Sequence, residues 1–132
     1  MDILSSNSSL LLEKTMGALW TRQAAILDNI ANVETPNYKA KVVTFEDSIR
    51  EKLEAAAGTK GVVRDTEQTV RQVIEEAAPS VFESQEQTRM DDNGVNITSE
   101  MTEMIRNAYQ QQYVYQAITK HYSLLRMAVN GQ

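Results

Sequence analysis

Two ladders of apolar residues, one near each end of the chain, constrain the fold more than any other feature of the sequence. The spacing in both ladders alternates between four and three residues, which is the a/d seam of a coiled coil. The N-terminal ladder consists of Leu12, Met16, Leu19, Gln23, Ile26, Ile30 and Val33. The C-terminal ladder consists of Ile97, Met101, Met104, Ala108, Gln111, Tyr115, Ile118, Tyr122, Leu125 and Val129. The ladders predict a mainly α fold in which long N- and C-terminal helices pack as a coiled coil or helical hairpin.

The chain divides into three segments within a single assembly domain. Residues 1–33 are predicted as the N-terminal helix, residues 34–92 as a middle segment, and residues 93–132 as the C-terminal helix. Pro36 separates the first two segments, because the residue before a proline is pushed out of the helical region. The middle segment is expected to be partly irregular, with room for a short helix and short strands.

The middle segment carries weaker signals than the two ends. A short helix is predicted from Thr44 to Ala57, and Val62-Val63 suggests a short strand. Residues Thr69–Glu76 fit either a helix or a strand, and Ser80–Arg89 follow a proline and read as extended and polar.

The C-terminal helix carries a second apolar ladder, displaced by one residue from the first. Its members are Val114, Ala117, His121, Leu124 and Ala128. Two adjacent ladders make an apolar face that is wider than one partner helix covers, so contact with at least two helices is expected. We therefore expect the free subunit to be loosely folded and its helices to become fully ordered only when subunits assemble.

The composition argues against catalytic activity and against nucleic acid as a binding partner. The net charge is -5, and Lys39 with Lys41 is the only basic cluster, whereas phosphate binding requires clustered Lys and Arg. The chain has no cysteine and one histidine, His121, with no nucleophile arranged near it. We expect no catalytic, metal or cofactor site, and no transmembrane segment.

One segment at the end of the N-terminal ladder carries a specific resemblance. It runs Asn29, Ile30, Ala31, Asn32, Val33, Glu34, Thr35, Pro36, Asn37, Tyr38, Lys39. This segment resembles the N-terminal signature of the bacterial flagellar rod, hook and hook-associated proteins, which reads Asn-Ile-Ala-Asn, two variable residues, then Thr-Pro-Gly-Tyr-Lys. Asn37 stands where the family has glycine. Both residue types can adopt positive φ, so the turn is expected to survive.

The C-terminal end shows the same resemblance. Val95–Ile97 followed by Glu100-Met101 is similar to the start of the family's C-terminal helix, and the rest of the helix is most similar to that of the proximal rod members. The resemblance covers roughly residues 10–55 and 90–130.

The resemblance implies a structural subunit of the flagellar basal-body rod, which polymerises through its terminal helices into the proximal part of the axial drive shaft and transmits torque. It implies a periplasmic rod location and export without a cleaved signal peptide. The implied partners are other copies of the chain, other rod proteins, the ring-rod adaptor, the inner-membrane ring and the flagellar type III export apparatus. The residues expected at the assembly interface are Leu12, Met16, Leu19, Gln23, Ile26, Ile30, Ile97, Met101, Met104, Gln111, Tyr115, Ile118, Tyr122, Leu125 and Val129.

Two other classes of protein compete with this interpretation. A small soluble coiled-coil adaptor or homo-oligomerisation module would carry similar ladders, and it would form a cooperative, highly helical dimer at micromolar concentration. An enzyme is the third class, and the absence of a catalytic constellation argues against it.

Overall fold

The computed structural model describes residues 6–58, 66–84 and 93–131. The fold is mainly helical, and its long N- and C-terminal helices pack against each other, which confirms the predicted fold class. The elements in chain order are α1 (Asn7–Ala31), β1 (Lys41–Thr44), α2 (Glu46–Gly58), α3 (Thr66–Glu75), β2 (Ser80–Glu83) and α4 (Ile97–Asn130).

The ends of the two long helices are set by capping residues. Ser6 Oγ accepts a hydrogen bond from the Ser9 amide at 3.3 Å and begins α1. Asn96 Oδ1 accepts from the Thr98 amide at 3.1 Å and begins α4. These side chains satisfy amides that have no partner within the helix. Gly131 ends α4 in the left-handed conformation, at φ 70°.

The two long helices are antiparallel. Asn29 near the end of α1 contacts Glu100 near the start of α4, and Leu19 further back in α1 contacts Asn107 further along α4. Contacts later in α4 therefore involve residues earlier in α1, as antiparallel packing requires. No helix in the described ranges is long and apolar enough to cross a membrane.

The middle segment packs on the side of α1 that α4 leaves free. Its core joins Ala18 of α1 to Phe45 and Ile49 at the start of α2 and to Ala77 after α3. Phe45 has only 2 % of its surface exposed. α1 is therefore the central element, with α4 on one face and the middle segment on another.

The middle segment contains a two-stranded antiparallel sheet, in which Lys41 lies opposite Glu83 and Thr44 opposite Ser80. The prediction that the second helix begins at Thr44 was wrong, since Thr44 ends β1 and α2 begins at Glu46. The physical reason is tertiary, because the β1 backbone is bonded both to β2 and to a side chain of α1.

The remaining middle predictions have mixed outcomes. The segment Thr69–Glu76, which was left open between helix and strand, is helical as far as Glu75, where α3 ends. Ser80–Glu83 form β2, so the extended prediction for Ser80–Arg89 is confirmed over its first residues. Residues 85–89 and the Val62-Val63 strand lie outside the described residues.

Candidate functional site

The segment from Asn29 to Lys39 forms a junction that joins α1 to β1 and to the start of α4. Asn29 is 1 % exposed, and its Oδ1 accepts from the Lys41 amide at 2.8 Å. Its Nδ2 donates to the Lys41 carbonyl at 2.9 Å and to Glu100 Oε1 at 3.1 Å. The Tyr38 hydroxyl donates to the same Oδ1 at 3.3 Å. One amide side chain thus pairs with both backbone groups of a strand residue, as a neighbouring strand would.

The turn after α1 is held by a second asparagine. Asn32 Nδ2 donates to the Asp28 carbonyl at 2.8 Å, and the Thr35 hydroxyl donates to Asn32 Oδ1 at 3.2 Å. Asn37 has a φ of 59°, in the left-handed region. The expectation that Asn37 replaces glycine by adopting positive φ is confirmed.

A third asparagine ties this turn to the start of α4. Asn93 is fully buried, and its Nδ2 lies 3.2, 3.1 and 2.7 Å from the carbonyl oxygens of Asn32, Val33 and Thr35. Its Oδ1 accepts from the Val95 amide at 2.7 Å. Sequence reasoning identified Asn93 only as a turn residue, because nothing in the chain spacing shows that two turns separated by sixty residues meet.

Charge around the junction is paired. Asp28 and Lys41 form an ion pair, which holds the pKa of the Asp28 carboxyl below its usual value and raises the pKa of Lys41. Burial raises the pKa of the Tyr38 phenol, and the nearby Asp28 charge acts in the same direction. Burial also raises the pKa of Glu100, although the hydrogen bond from Asn29 opposes this shift. These pKa shifts are those expected for paired and hydrogen-bonded groups in a structural junction.

The contact between α1 and α4 is crossed by three amide side chains. Asn107 Nδ2 donates to the Leu19 carbonyl at 3.1 Å and to Gln23 Oε1 at 2.8 Å. Gln111 Nε2 donates to the same Leu19 carbonyl at 3.3 Å. Asn107 is fully buried, and its Oδ1 has no hydrogen-bond partner among the described residues. Sequence reasoning named Gln23 and Gln111 but missed Asn107, whose one signal is its spacing of four from Gln111 and three from Met104.

The N-terminal ladder lies along the α1 face that meets α4. Leu19 and Ile26 are buried and the other members are half-buried. These members are Leu12, Met16, Gln23, Ile30 and Val33.

The C-terminal ladder is divided between the inside and the outside of the helix pair. Four members are half-buried, namely Met104, Gln111, Ile118 and Leu125. The large members that remain exposed are Ile97, Met101, Tyr115, Tyr122 and Val129. The remaining α4 residues that face α1 are Asn107, Val114 and His121. Each of them comes one position before an exposed ladder member, namely Ala108, Tyr115 and Tyr122.

This rotation leaves α4 with apolar side chains on its uncovered sides. Tyr115 is 65 % exposed and Val129 is 83 % exposed. Further exposed side chains around the helix are Ile105, Tyr109, Tyr113, Leu124 and Met127. Many large apolar side chains exposed along one helix indicate a surface that other protein covers, whereas single exposed apolar residues are ordinary. Among the described residues, no group of three His, Cys, Asp or Glu side chains could hold a metal ion.

The fold is a pair of long helices with a short middle segment, and the side of α4 that faces away from α1 exposes large apolar side chains, as in proteins that associate with neighbouring subunits. No family model matches the chain. The flagellar basal body rod protein FlgB of Borrelia hermsii is 33 % identical to it over 115 residues, which are 83 % of this chain and 82 % of that protein. FlgB of Bacillus subtilis (strain 168) is 27 % identical over 120 residues, 91 % of each chain. The chain therefore belongs to the FlgB family of flagellar basal body rod proteins.

Proposed function

We propose that this chain is a structural subunit of the flagellar basal-body rod, and that it polymerises through its terminal helices into the proximal part of the axial drive shaft. The observation that carries the proposal is the exposed apolar surface of α4. Tyr115, Tyr122 and Val129 lie on one side of the helix, while Tyr109 and Tyr113 lie on another. A single partner helix, which α1 already provides, leaves both sides in water.

The free energy available from burying the exposed side chains of α4 favours several modest contacts with neighbouring subunits. Six aliphatic or methionine side chains of α4 are 41–83 % exposed, namely Ile97, Met101, Ile105, Leu124, Met127 and Val129. Covering the remaining half of such a side chain gains roughly 1 kcal/mol, so all six supply on the order of 5–10 kcal/mol before the tyrosines are counted. Association costs several kcal/mol in lost freedom. A surface of this kind suits an assembly in which each subunit touches several neighbours.

Torque transmission follows from the same arrangement. The load on a subunit is spread over the length of α4 and passes to α1 through the seam and through the Asn29 and Asn93 hydrogen bonds. Neither route depends on one tight contact. The junction holds the middle segment on this helix pair as the load changes direction.

Family membership carries the remaining parts of the proposal. The partners are other copies of the chain, other rod proteins, the ring-rod adaptor and the inner-membrane ring of the basal body. The subunit is exported through the flagellar type III export apparatus without a cleaved signal peptide, and it works in the periplasmic rod.

The proposal can be tested by introducing a charged residue on the exposed face of α4. Tyr115→Asp should abolish rod assembly and swimming, because an aspartate in a covered apolar contact is unpaired and desolvated. Circular dichroism of the purified subunit should be unchanged, since Tyr115 is 65 % exposed in the single chain. Ile118 is less suitable because it is half-buried against α1, so Ile118→Asp would also disturb the helix pair.

Ala55→Asp on the exposed side of α2 is the matched control, and it should leave swimming intact. Secretion of Tyr115→Asp into the medium should persist, which separates assembly from export. Normal swimming of the Tyr115→Asp strain would overturn the proposal. So would a sharp, cooperative dimer of the purified protein at micromolar concentration, which is the behaviour of a coiled-coil adaptor.

A further inference from the structure

The exposed side of α1 carries a ladder of its own. Its members alternate in spacing by four and three residues, and every one is exposed; we call them the outer α1 ladder, namely Glu13, Gly17, Trp20, Ala24, Leu27 and Ala31. Apart from Ser8, no other residue of α1 is exposed. Trp20 is 63 % exposed and Leu27 is 51 % exposed. The face of α1 that the other described residues leave uncovered is therefore an a/d seam, and no helix in the described ranges packs against it.

Gly17 has no role in the packing of the single chain. A Cβ built at Gly17 meets nothing within 4 Å, so neither the seam with α4 nor the middle segment requires its small size. Glycine in a helix interior is destabilising relative to alanine. Close approach of another helix to this face would explain the residue, because glycine and alanine let helix backbones come near each other.

A second uncovered ladder runs along α4. Its spacing also alternates by four and three, and every member is exposed; the outer α4 ladder consists of Met101, Ile105, Ala108, Gln112, Tyr115, Thr119, Tyr122, Arg126 and Val129. Tyr115 and Tyr122 are seven residues apart, as are Gly17 and Ala24 of the outer α1 ladder. The two tyrosines of the outer α4 ladder are therefore the same distance apart along the helix axis as the two small residues of the outer α1 ladder.

Antiparallel pairing of the two ladders places large residues opposite small ones. In an antiparallel coiled coil an a position meets a d position, and one register that satisfies this rule puts Tyr122 opposite Gly17 and Tyr115 opposite Ala24. The same register puts Thr119 opposite Trp20. Parallel pairing, in which a meets a and d meets d, cannot place either tyrosine opposite Gly17 or Ala24.

Charge supports the same register. Arg126 lies one turn beyond Tyr122 in the outer α4 ladder, and Glu13 lies one turn before Gly17 in the outer α1 ladder. Antiparallel pairing brings these opposite charges face to face. From residue 104 to residue 130, α4 has three Lys or Arg residues and no Asp or Glu, so the exposed acid at Glu13 meets a basic partner.

We propose that the outer α1 ladder is the docking surface for the outer α4 ladder of a second copy of this chain. The inference rests on the proposed function and deepens it, since it specifies which helix faces meet. The two surfaces differ, so the contact is head-to-tail and can continue from copy to copy. Because α1 and α4 are also antiparallel within the chain, all copies in such an array point the same way.

The test uses a pair of cysteines in a chain that has none of its own. Ala24→Cys and Tyr115→Cys, made together, should form disulfide-linked oligomers in isolated basal bodies under a mild oxidant. Within one chain residue 115 lies beside about residue 15, so the two thiols are about 13 Å apart along the axis and cannot bridge. Ala24→Cys with Arg126→Cys, which parallel pairing would place together, is the control and should give no cross-linked oligomer.

The outcomes separate this inference from the proposed function. Linked oligomers from the first pair alone support the docking surface. Subunits that are present in basal bodies but yield no link, or that link through Arg126→Cys, overturn the docking surface and leave the rod proposal standing. Absence of the wild-type subunit from basal bodies overturns the rod proposal itself.

A second variant covers the case in which the cysteine pair fails to assemble. Gly17→Leu should reduce incorporation into basal bodies at least tenfold, while the melting temperature of the free subunit stays the same or rises, because the new side chain meets open space. Ala55→Leu on exposed α2 is the control and should be incorporated normally. Normal incorporation of Gly17→Leu would overturn the docking surface.

Discussion

Replacing Asn29 with alanine removes the side chain that joins α1 to both β1 and α4. The variant loses an acceptor for the Lys41 amide at 2.8 Å, a donor to the Lys41 carbonyl at 2.9 Å and a donor to Glu100 at 3.1 Å. Glu100 is half-buried and retains access to water, whereas the two Lys41 backbone groups face α1, and no strand in the described part of the chain lies on that side.

The cost can be worked from these bonds. Each backbone group left without a partner costs about 1–3 kcal/mol, which gives about 2–6 kcal/mol for the two. Alanine is the better helix former by roughly 0.5 kcal/mol, and water reaches part of Lys41, so the lower half of the range applies. We expect Asn29→Ala to lower the free energy of unfolding by about 2–3 kcal/mol.

Urea denaturation of the purified subunit, followed by circular dichroism, measures this change, because the junction and the core beside it are formed within the single chain even though the long helices are expected to gain order on assembly. Hydrogen exchange should also show lost protection at the Lys41 amide. Asn130→Ala, at the exposed end of α4, is the control and should shift the free energy by less than about 0.5 kcal/mol. A change of less than about 0.5 kcal/mol in Asn29→Ala, with the Lys41 amide still protected, would refute the role assigned to this side chain.

Three further predictions concern the amides, the turn and the response to acid. Asn107→Leu should lower the free energy of unfolding by about 1 kcal/mol in urea denaturation, because losing the hydrogen bonds to the Leu19 carbonyl and to Gln23 outweighs the removal of an unpartnered Oδ1; a gain of similar size would contradict this. Asn37→Val should lower the melting temperature through a cost of about 1–2 kcal/mol, while Asn37→Gly should change it little, since φ is 59° there; equal effects would count against the turn. The Arg22 guanidinium holds the pKa of Glu46 below its usual value, so the pair stabilises the fold above the ordinary pKa of a glutamate and this contribution is lost as the pH falls through the lowered pKa. The acid limb of a stability-pH curve should therefore be shallower in Glu46→Gln, and an unchanged slope would show that the pair does not stabilise the fold.

The two long helices could be predicted from the sequence because their signals are local and repeated. The four-three spacing persists over many turns, so each additional member strengthens the same prediction. Asn96 and Gly131 mark the ends of α4 by their own chemistry. The positive φ at Asn37 followed from the family pattern, which has glycine there.

The strand β1 could not be predicted because its partners are distant in the chain. Val42 and Val43 favour a strand, but a run of four residues is too short to distinguish from the start of a helix. The partners that decide between them are Asn29 and the strand β2, which begins at Ser80.

The rotation of α4 against α1 was hidden for a different reason. Ala108, Tyr115 and Tyr122 have the same spacing as Asn107, Val114 and His121, so periodicity alone favours neither set. The structure turns the second set inward, where Asn107 reaches the Leu19 carbonyl and Gln23. Apolar content favours the first set, and the hydrogen bonds that oppose it can be seen only once both helices are in place.

The uncovered face of α4 is proposed here as an interface between subunits. Electron cryomicroscopy of isolated basal bodies, at a resolution that shows side chains, tests it most directly. We expect Tyr115 and Tyr122 to be in van der Waals contact with neighbouring subunits. A map in which both tyrosines point into open solvent, while the rod is held together by other surfaces, would contradict it.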